Sequence, residues 1–235
     1  MANIYEFSSD NVNVFLMILD SSNSMEDDTK KVREGLKSYK KEFEDFYEAD
    51  SIAVAISKFN DWYYPGEFKK VKDISTNYST AGSTALYYSI EKGAKQLVEY
   101  IGEVTQKTGT IPRGTFIFFS DGEPCGDPGN KRDAKKAISN MNEMGITTVF
   151  VAFGKAISSK FGDELGFQAT VDVENRDSLV KFMGEELSKS CKEQSRSMKA
   201  LGSNFFSHAN DNESSSGYSK TTSQALEDDD WIDEI

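Results

Sequence analysis

Apolar residues in this chain fall into two recurring patterns. Residues 12–19 (VNVFLMIL) form a nearly continuous apolar run, as expected of a strand buried on both faces. A polar turn follows. Val32, Leu36, Tyr39, Phe43 and Phe46 then recur at spacings of four and three, which predicts a helix over about 26–48 with one apolar stripe. Residues 51–59 (SIAVAISKF) predict a second strand, and residues 64–72 a third, more polar one. The connection between those two, NDWY, is too short for a crossover, so they run antiparallel, and the polar strand belongs at an edge. A helix over 85–107 carries Leu86, Ile90, Leu97, Ile101 and Val104 on one side. Residues 115–120 (TFIFFS) predict a fourth strand, 130–144 a helix, 147–154 (TTVFVAFG) a fifth strand, and 158–165 a short helix. A small strand near 168–173 and a helix over 175–191 complete the series.

This alternation predicts an α/β protein. The expected architecture is a Rossmann-like, doubly wound, mostly parallel sheet with helices on both faces and one antiparallel edge strand. Right-handed crossovers and winding in both directions favour the strand order 3-2-1-4-5-6. Strands one and four are then neighbours. The C-terminal ends of those strands flank the switch-point crevice where open α/β sheets bind ligands.

Polar turns converge on that crevice. Strand one runs into Asp20-Ser21-Ser22-Asn23-Ser24, and strand four into Ser120-Asp121-Gly122-Glu123-Pro124. A third turn, Ala81-Gly82-Ser83-Thr84, opens the second long helix. The 12 residues 73–84 can span about 40 Å when extended, enough to return Thr84 to the top of the sheet. Each turn alone has an ordinary use: Asp20 and the serines as helix caps, Ser83 or Thr84 as the next cap, Asp-Gly-Glu-Pro as a turn. Together they supply Asp20, Ser22, Ser24, Thr84 and Asp121, two carboxylates and three hydroxyls with no Cys or His. Hard oxygen donors in this mixture suit Mg²⁺ or Mn²⁺. Two carboxylates balance a divalent cation, and neutral hydroxyls leave it electrophilic enough to accept an external carboxylate.

Asp20-x-Ser22-x-Ser24 after an apolar strand, with Thr84 and Asp121 in these contexts, resembles the metal-ion-dependent adhesion site of von Willebrand factor A domains. The resemblance spans about residues 10–191, and the order of elements matches that fold. It implies direct ligation by Ser22 and Ser24. Asp20 and Asp121 would bind directly or through water, and Thr84 would switch between the two modes. The last coordination position would go to an Asp or Glu of a protein partner. The Ser83-Thr84-Ala85-Leu86 and Asp121-Gly122-Glu123-Pro124 segments look most like bacterial intracellular proteins of the TerY type, associated with tellurium resistance and stress. That likeness implies a kinase, a PP2C-type phosphatase or an AAA+ ATPase as companions.

Composition narrows the alternatives. The chain of 235 residues carries a net charge of −12, which argues against non-specific nucleic-acid binding. No apolar run approaches the roughly 20 residues of a membrane span, and residues 1–10 lack a secretion-signal pattern. Two cysteines, Cys125 and Cys191, do not make a secreted disulfide framework, so a cytoplasmic location is expected. The only histidine, His208, lies far from the crevice residues in sequence. Ser-His-Asp and Cys-His chemistry therefore lacks its base, and Cys125 reads as a bystander thiol. No P-loop, dinucleotide fingerprint or zinc spacing is present. A phosphohydrolase of the aspartyl-nucleophile type would use Asp20 but would want a general acid where Ser22 stands. The expectation is a non-catalytic, metal-dependent binding module. A scaffold whose metal only orders loops is a third reading.

The acidity is uneven. Residues 202–235 hold seven of the twelve net negative charges in a Ser/Thr/Asn-rich context. They are expected to form a disordered tail after a domain over 1–201. Trp231 and Ile232 sit among carboxylates in 226–235 (LEDDDWIDEI). That segment reads as a solubilising end, as a docking motif for another protein, or as a carboxylate source for the chain's own metal site. The tail's serines and threonines are candidate phosphoacceptors.

Overall fold

The computed structural model describes residues 12–154, 156–197, 200–207 and 218–222. The apolar runs become parallel strands β1 (Asn13–Asp20), β2 (Ile52–Phe59), β5 (Arg113–Ser120), β6 (Thr147–Phe153) and β7 (Ala169–Val173). Two-residue strands β3 (Tyr63–Tyr64) and β4 (Lys69–Lys70) pair antiparallel with β2, and β8 (Tyr218–Thr222) pairs antiparallel with β7. The sheet order is β3-β2-β1-β5-β6-β7-β8, with β4 also on β2. This is the expected doubly wound order, with β1 and β5 side by side at the switch point.

Helices α1 (Thr29–Lys41), α2 (Leu86–Thr108), α3 (Lys131–Glu143), α4 (Ser159–Leu165), α5 (Arg176–Lys181) and α6 (Ser188–Arg196) flank the sheet. Alternation along β1 divides the core in two. Phe15, Met17 and Leu19 face α1 and the C-terminal helices, whereas Val14, Leu16 and Ile18 face α2 and α3. On the first face, a Cβ at Gly35 of α1 would run into the side chain of Met183, and one at Gly184 into Ser38. The two helical elements approach closely through these glycines.

Four local expectations change. The first helix begins as a 3-10 turn (Asn23–Asp28), and its regular part ends at Lys41. Phe43 and Phe46 still pack on the core, from a tightened turn in which Phe43 N–H bonds Lys40 C=O. The polar third strand is broken in two around Pro65-Gly66, where a Cβ on Gly66 would strike the backbone of Ile56. Residues 182–187 widen to a π-helical turn between α5 and α6. The folded domain also runs past residue 201. Phe205 and Phe206 are buried among Phe182 and its neighbours, and β8 extends the sheet. Two adjacent aromatic rings bury enough apolar area to hold a segment that is otherwise polar. The rest of the expected tail, with the 226–235 segment and His208, lies outside the described residues.

Candidate metal centre

β1 ends at Asp20, which is only 1% exposed. Its carboxylate is bound on both sides: Ser22 N–H donates to Oδ1 (3.0 Å) and Ser120 Oγ donates to Oδ2 (2.8 Å). The hydroxyl of buried Tyr78 donates to the Asp20 main-chain carbonyl. Ser22 Oγ and Ser24 Oγ share a hydrogen bond at 2.9 Å, and Ser24 Oγ donates to Asp121 Oδ1 at 2.9 Å. Four of the five residues singled out by sequence therefore form one continuous oxygen cluster across the β1 and β5 loops.

Thr84 joins through the backbone. Its N–H donates to Cys125 C=O (3.3 Å), and Cys125 N–H donates back to Thr84 C=O (3.1 Å). Ala81 N–H donates to Ser21 C=O and Asn23 N–H to Gly82 C=O, so the third loop is stitched to the first. Gly82 adopts φ 74°, the left-handed region that L side chains avoid, and this lets the loop turn there. Thr84 is 6% exposed. The hydrogen bonds that link the other four residues do not include its hydroxyl.

The electrostatics favour a cation. Burial pushes the Asp20 carboxyl up to about 6, opposed by the Ser22 and Ser120 hydrogen bonds and reinforced by the Asp121 charge. The apolar side chains of Leu19, Met25, Val32, Phe119 and Phe153 line a small cavity beside Asp20, and the residue's burial accounts for the poor solvation. Burial and the nearby Asp28 charge raise Asp121 as well, against the Ser24 hydrogen bond. Two crowded carboxylates with hydroxyl oxygens within hydrogen-bonding reach form a donor set that a small hard divalent cation satisfies. Among the described residues, no group of three or more His, Cys, Asp or Glu side chains could hold a metal. The fit rests on carboxylate and hydroxyl oxygens together.

Sequence reasoning passed over several supports. Ser120 stands next to Asp121, yet its hydroxyl serves Asp20. Asp127 accepts from Tyr87 N–H (2.5 Å) and Tyr88 N–H (3.2 Å), which caps α2 just beyond Thr84. Asp61 accepts from Ser83 N–H (2.9 Å) and Ser83 Oγ (2.5 Å), tying the β2–β3 loop to the third site loop. A capping carboxylate some 40 residues from its helix leaves no local sequence signal. Cys125 is exposed and Cys191 buried; both are free thiols.

No family model matches this sequence, and no curated protein does. Solved structures do match in three dimensions. The pilus adhesin SpaC of Lactobacillus rhamnosus GG, in its open conformation, superposes with a TM-score of 0.63 at 13% identity. The match covers 78% of this chain and 30% of the adhesin. Proximal thread matrix protein 1 of the mussel byssus, solved with a zinc-occupied MIDAS motif, gives 0.52 at 14% identity over 77% of this chain and 46% of that one. The manganese-loaded TRAP protein of Plasmodium vivax gives 0.53 at 12% identity over 74% and 72%. This chain spans about a third of the adhesin's length. At these identities the likeness concerns the fold: a doubly wound α/β architecture of the von Willebrand factor A type, with the oxygen cluster at its switch point.

Proposed function

We propose that this protein is a divalent-cation-dependent protein-binding module. Asp20, Ser22, Ser24, Thr84 and Asp121 would hold the ion. When bound, the ion supplies a Lewis-acidic site for a carboxylate of a protein partner. The observation that carries this reading is the oxygen cluster running from Ser22 through Ser24 to Asp121, beside the buried Asp20. In two similar folds the metal is manganese or zinc, which supports a divalent ion. Mg²⁺ as the resident ion rests on the hard-oxygen donor set.

A binding role is supported over phosphoryl transfer by the state of Asp20. A nucleophilic carboxylate needs an oxygen open to substrate, whereas Asp20 is almost fully buried and both its oxygens accept hydrogen bonds. The finer reading is a TerY-type protein in a bacterial stress or signalling complex. Its companions would be a kinase, a PP2C-type phosphatase or an AAA+ ATPase. Its support is the two sequence segments around Thr84 and Asp121. A cytoplasmic location is supported by the cysteine usage. Among the described residues no helix is long and apolar enough to cross a membrane.

The test is capture of partners from the native cell in Mg²⁺, in EDTA, and with Asp20→Ala. The proposal expects a protein retained only by the unmodified chain in Mg²⁺. Equal retention in all three overturns it.

A further inference from the structure

Away from the candidate metal centre, a groove of about 310 Å³ opens between the β3–β4 connection and α2. The β2 register gives the separation. Asp20 pairs with Phe59 at one end of β2, whereas Lys69 of β4 pairs with Val54, five residues or about 17 Å along the strand. The base of the groove is apolar. The rings of Phe68 and Tyr100 stack there, with centroids 3.8 Å apart and planes 10° from parallel, and Pro65 borders them. Gln96 fixes the two walls to each other. Its amide N–H donates to Gly66 C=O at 2.7 Å, and its Oε1 accepts from Ser57 Oγ at 3.1 Å and from the Tyr63 hydroxyl. The groove is thus built into the fold.

Two independent observations give it a chemistry. The first is charge. Glu99 and Glu103 both line the groove from α2, one helical turn apart, and Glu67 faces them from the connecting loop. Like charges at that helical spacing repel. Lys95 and Lys69 approach Glu99 and Glu67 at 3.7 and 3.2 Å, but all four side chains are exposed, where such pairs are weak and readily exchanged. The second is an orphaned polar group. Tyr100 is only 6% exposed, and its buried hydroxyl makes no hydrogen bond among the described residues. Burial and the neighbouring Glu103 charge push this phenol up to about 12, so it stays neutral and its oxygen remains an acceptor on the Glu103 side of the groove. A buried hydroxyl without a partner is costly unless a ligand supplies one.

We propose that this groove binds an arginine side chain of a protein partner, with its stem over Pro65 and Phe68 and its guanidinium among Glu99, Glu103 and the Tyr100 hydroxyl. An apolar base with carboxylates at the rim matches a side chain whose methylenes bury while its head stays charged. Arginine fits better than lysine. Its planar fork spreads five N–H donors over two carboxylates and a hydroxyl, whereas lysine gathers three donors at one point. The site is separate from the cation centre and does not depend on it.

The test titrates a capped Ala-Arg-Ala peptide into the isotope-labelled full chain in EDTA and follows backbone amide resonances. Expected are saturable shifts at Gly66, Phe68, Tyr100 and Glu103, with a Kd on the order of 1 mM. The same peptide with citrulline, which keeps the shape and loses the charge, should bind at least about 10-fold more weakly. So should the arginine peptide to a chain carrying E99Q and E103Q. Tyr100→Phe keeps the stacked ring and removes an unpaired hydroxyl, so stability should hold or rise while affinity falls about 10-fold. No saturable shift at these amides overturns the proposal. Equal affinity for the citrulline or the corresponding lysine peptide overturns it too, as does undiminished affinity in Tyr100→Phe or in the E99Q and E103Q chain.

Discussion

Asp20 makes the metal-free protein sensitive to pH in a direction opposite to that of most carboxylates. In the folded chain its carboxyl is raised from 3.8 to about 6, chiefly by burial. The folded state therefore holds a proton that the unfolded state has released, and stability falls as pH rises through this range. Between pH 5 and pH 7.5 the loss amounts to about 1.4 kcal/mol, and over the full span from below pH 4 to about 3 kcal/mol, at 1.36 kcal/mol per pH unit. Chemical denaturation in EDTA at several pH values measures it. Exposed carboxylates held low by neighbours, such as Asp50 beside Lys72 and Lys70, slope the other way, so the informative quantity is the difference from Asp20→Asn. The unmodified chain should lose about 1.4 kcal/mol relative to that variant between pH 5 and pH 7.5. Saturating divalent cation should remove the penalty and add about 2.7 kcal/mol at a hundredfold excess over Kd. Parallel stability profiles for the two proteins would refute the reasoning, because they would mean that Asp20 is not strained by desolvation.

Further outcomes follow from the packing around the site. Phe205→Ala should cost about 3–5 kcal/mol of unfolding free energy if the domain includes this residue; a surface-like change below about 0.5 kcal/mol would return the boundary to residue 201. Asp127→Ala removes acceptors for two N–H groups at the start of α2, and thermal denaturation should show a loss of about 0.5–2 kcal/mol. Tyr78→Phe leaves the buried Asp20 carbonyl without its hydroxyl donor and should cost about 1–3 kcal/mol in the same assay. Gly93→Ala would press a methyl group onto Ile18 and Phe116, and a loss of about 1–3 kcal/mol is expected.

Most of the architecture was legible because it rests on short-range patterns. The continuous apolar runs of β1, β5 and β6 match strands buried on both faces, and the α2 stripe matches a helix with one face on the core. Crossover handedness then set the order. The cluster of Asp20, Ser22, Ser24 and Asp121 followed from that order, since the ends of β1 and β5 must meet. What escaped depends on distant partners. Residues 218–222 carry no apolar face that marks a strand, and only the open edge of β7 makes them β8. Phe205 and Phe206 did offer a signal, an aromatic pair in a polar stretch, but the surrounding composition outweighed it. Ser120 was hidden in another way: its identity suggests a turn residue, and only the fold turns its hydroxyl toward Asp20.

Titration of Mn²⁺ into the metal-free chain, followed by electron paramagnetic resonance of the free ion, tests the central claim most directly. One Mn²⁺ bound per chain, lost in Asp20→Ala and in Asp121→Ala while both variants keep cooperative unfolding, is the predicted result. Binding that survives both substitutions, or no binding by the unmodified chain, would contradict a cation site at the meeting of β1 and β5.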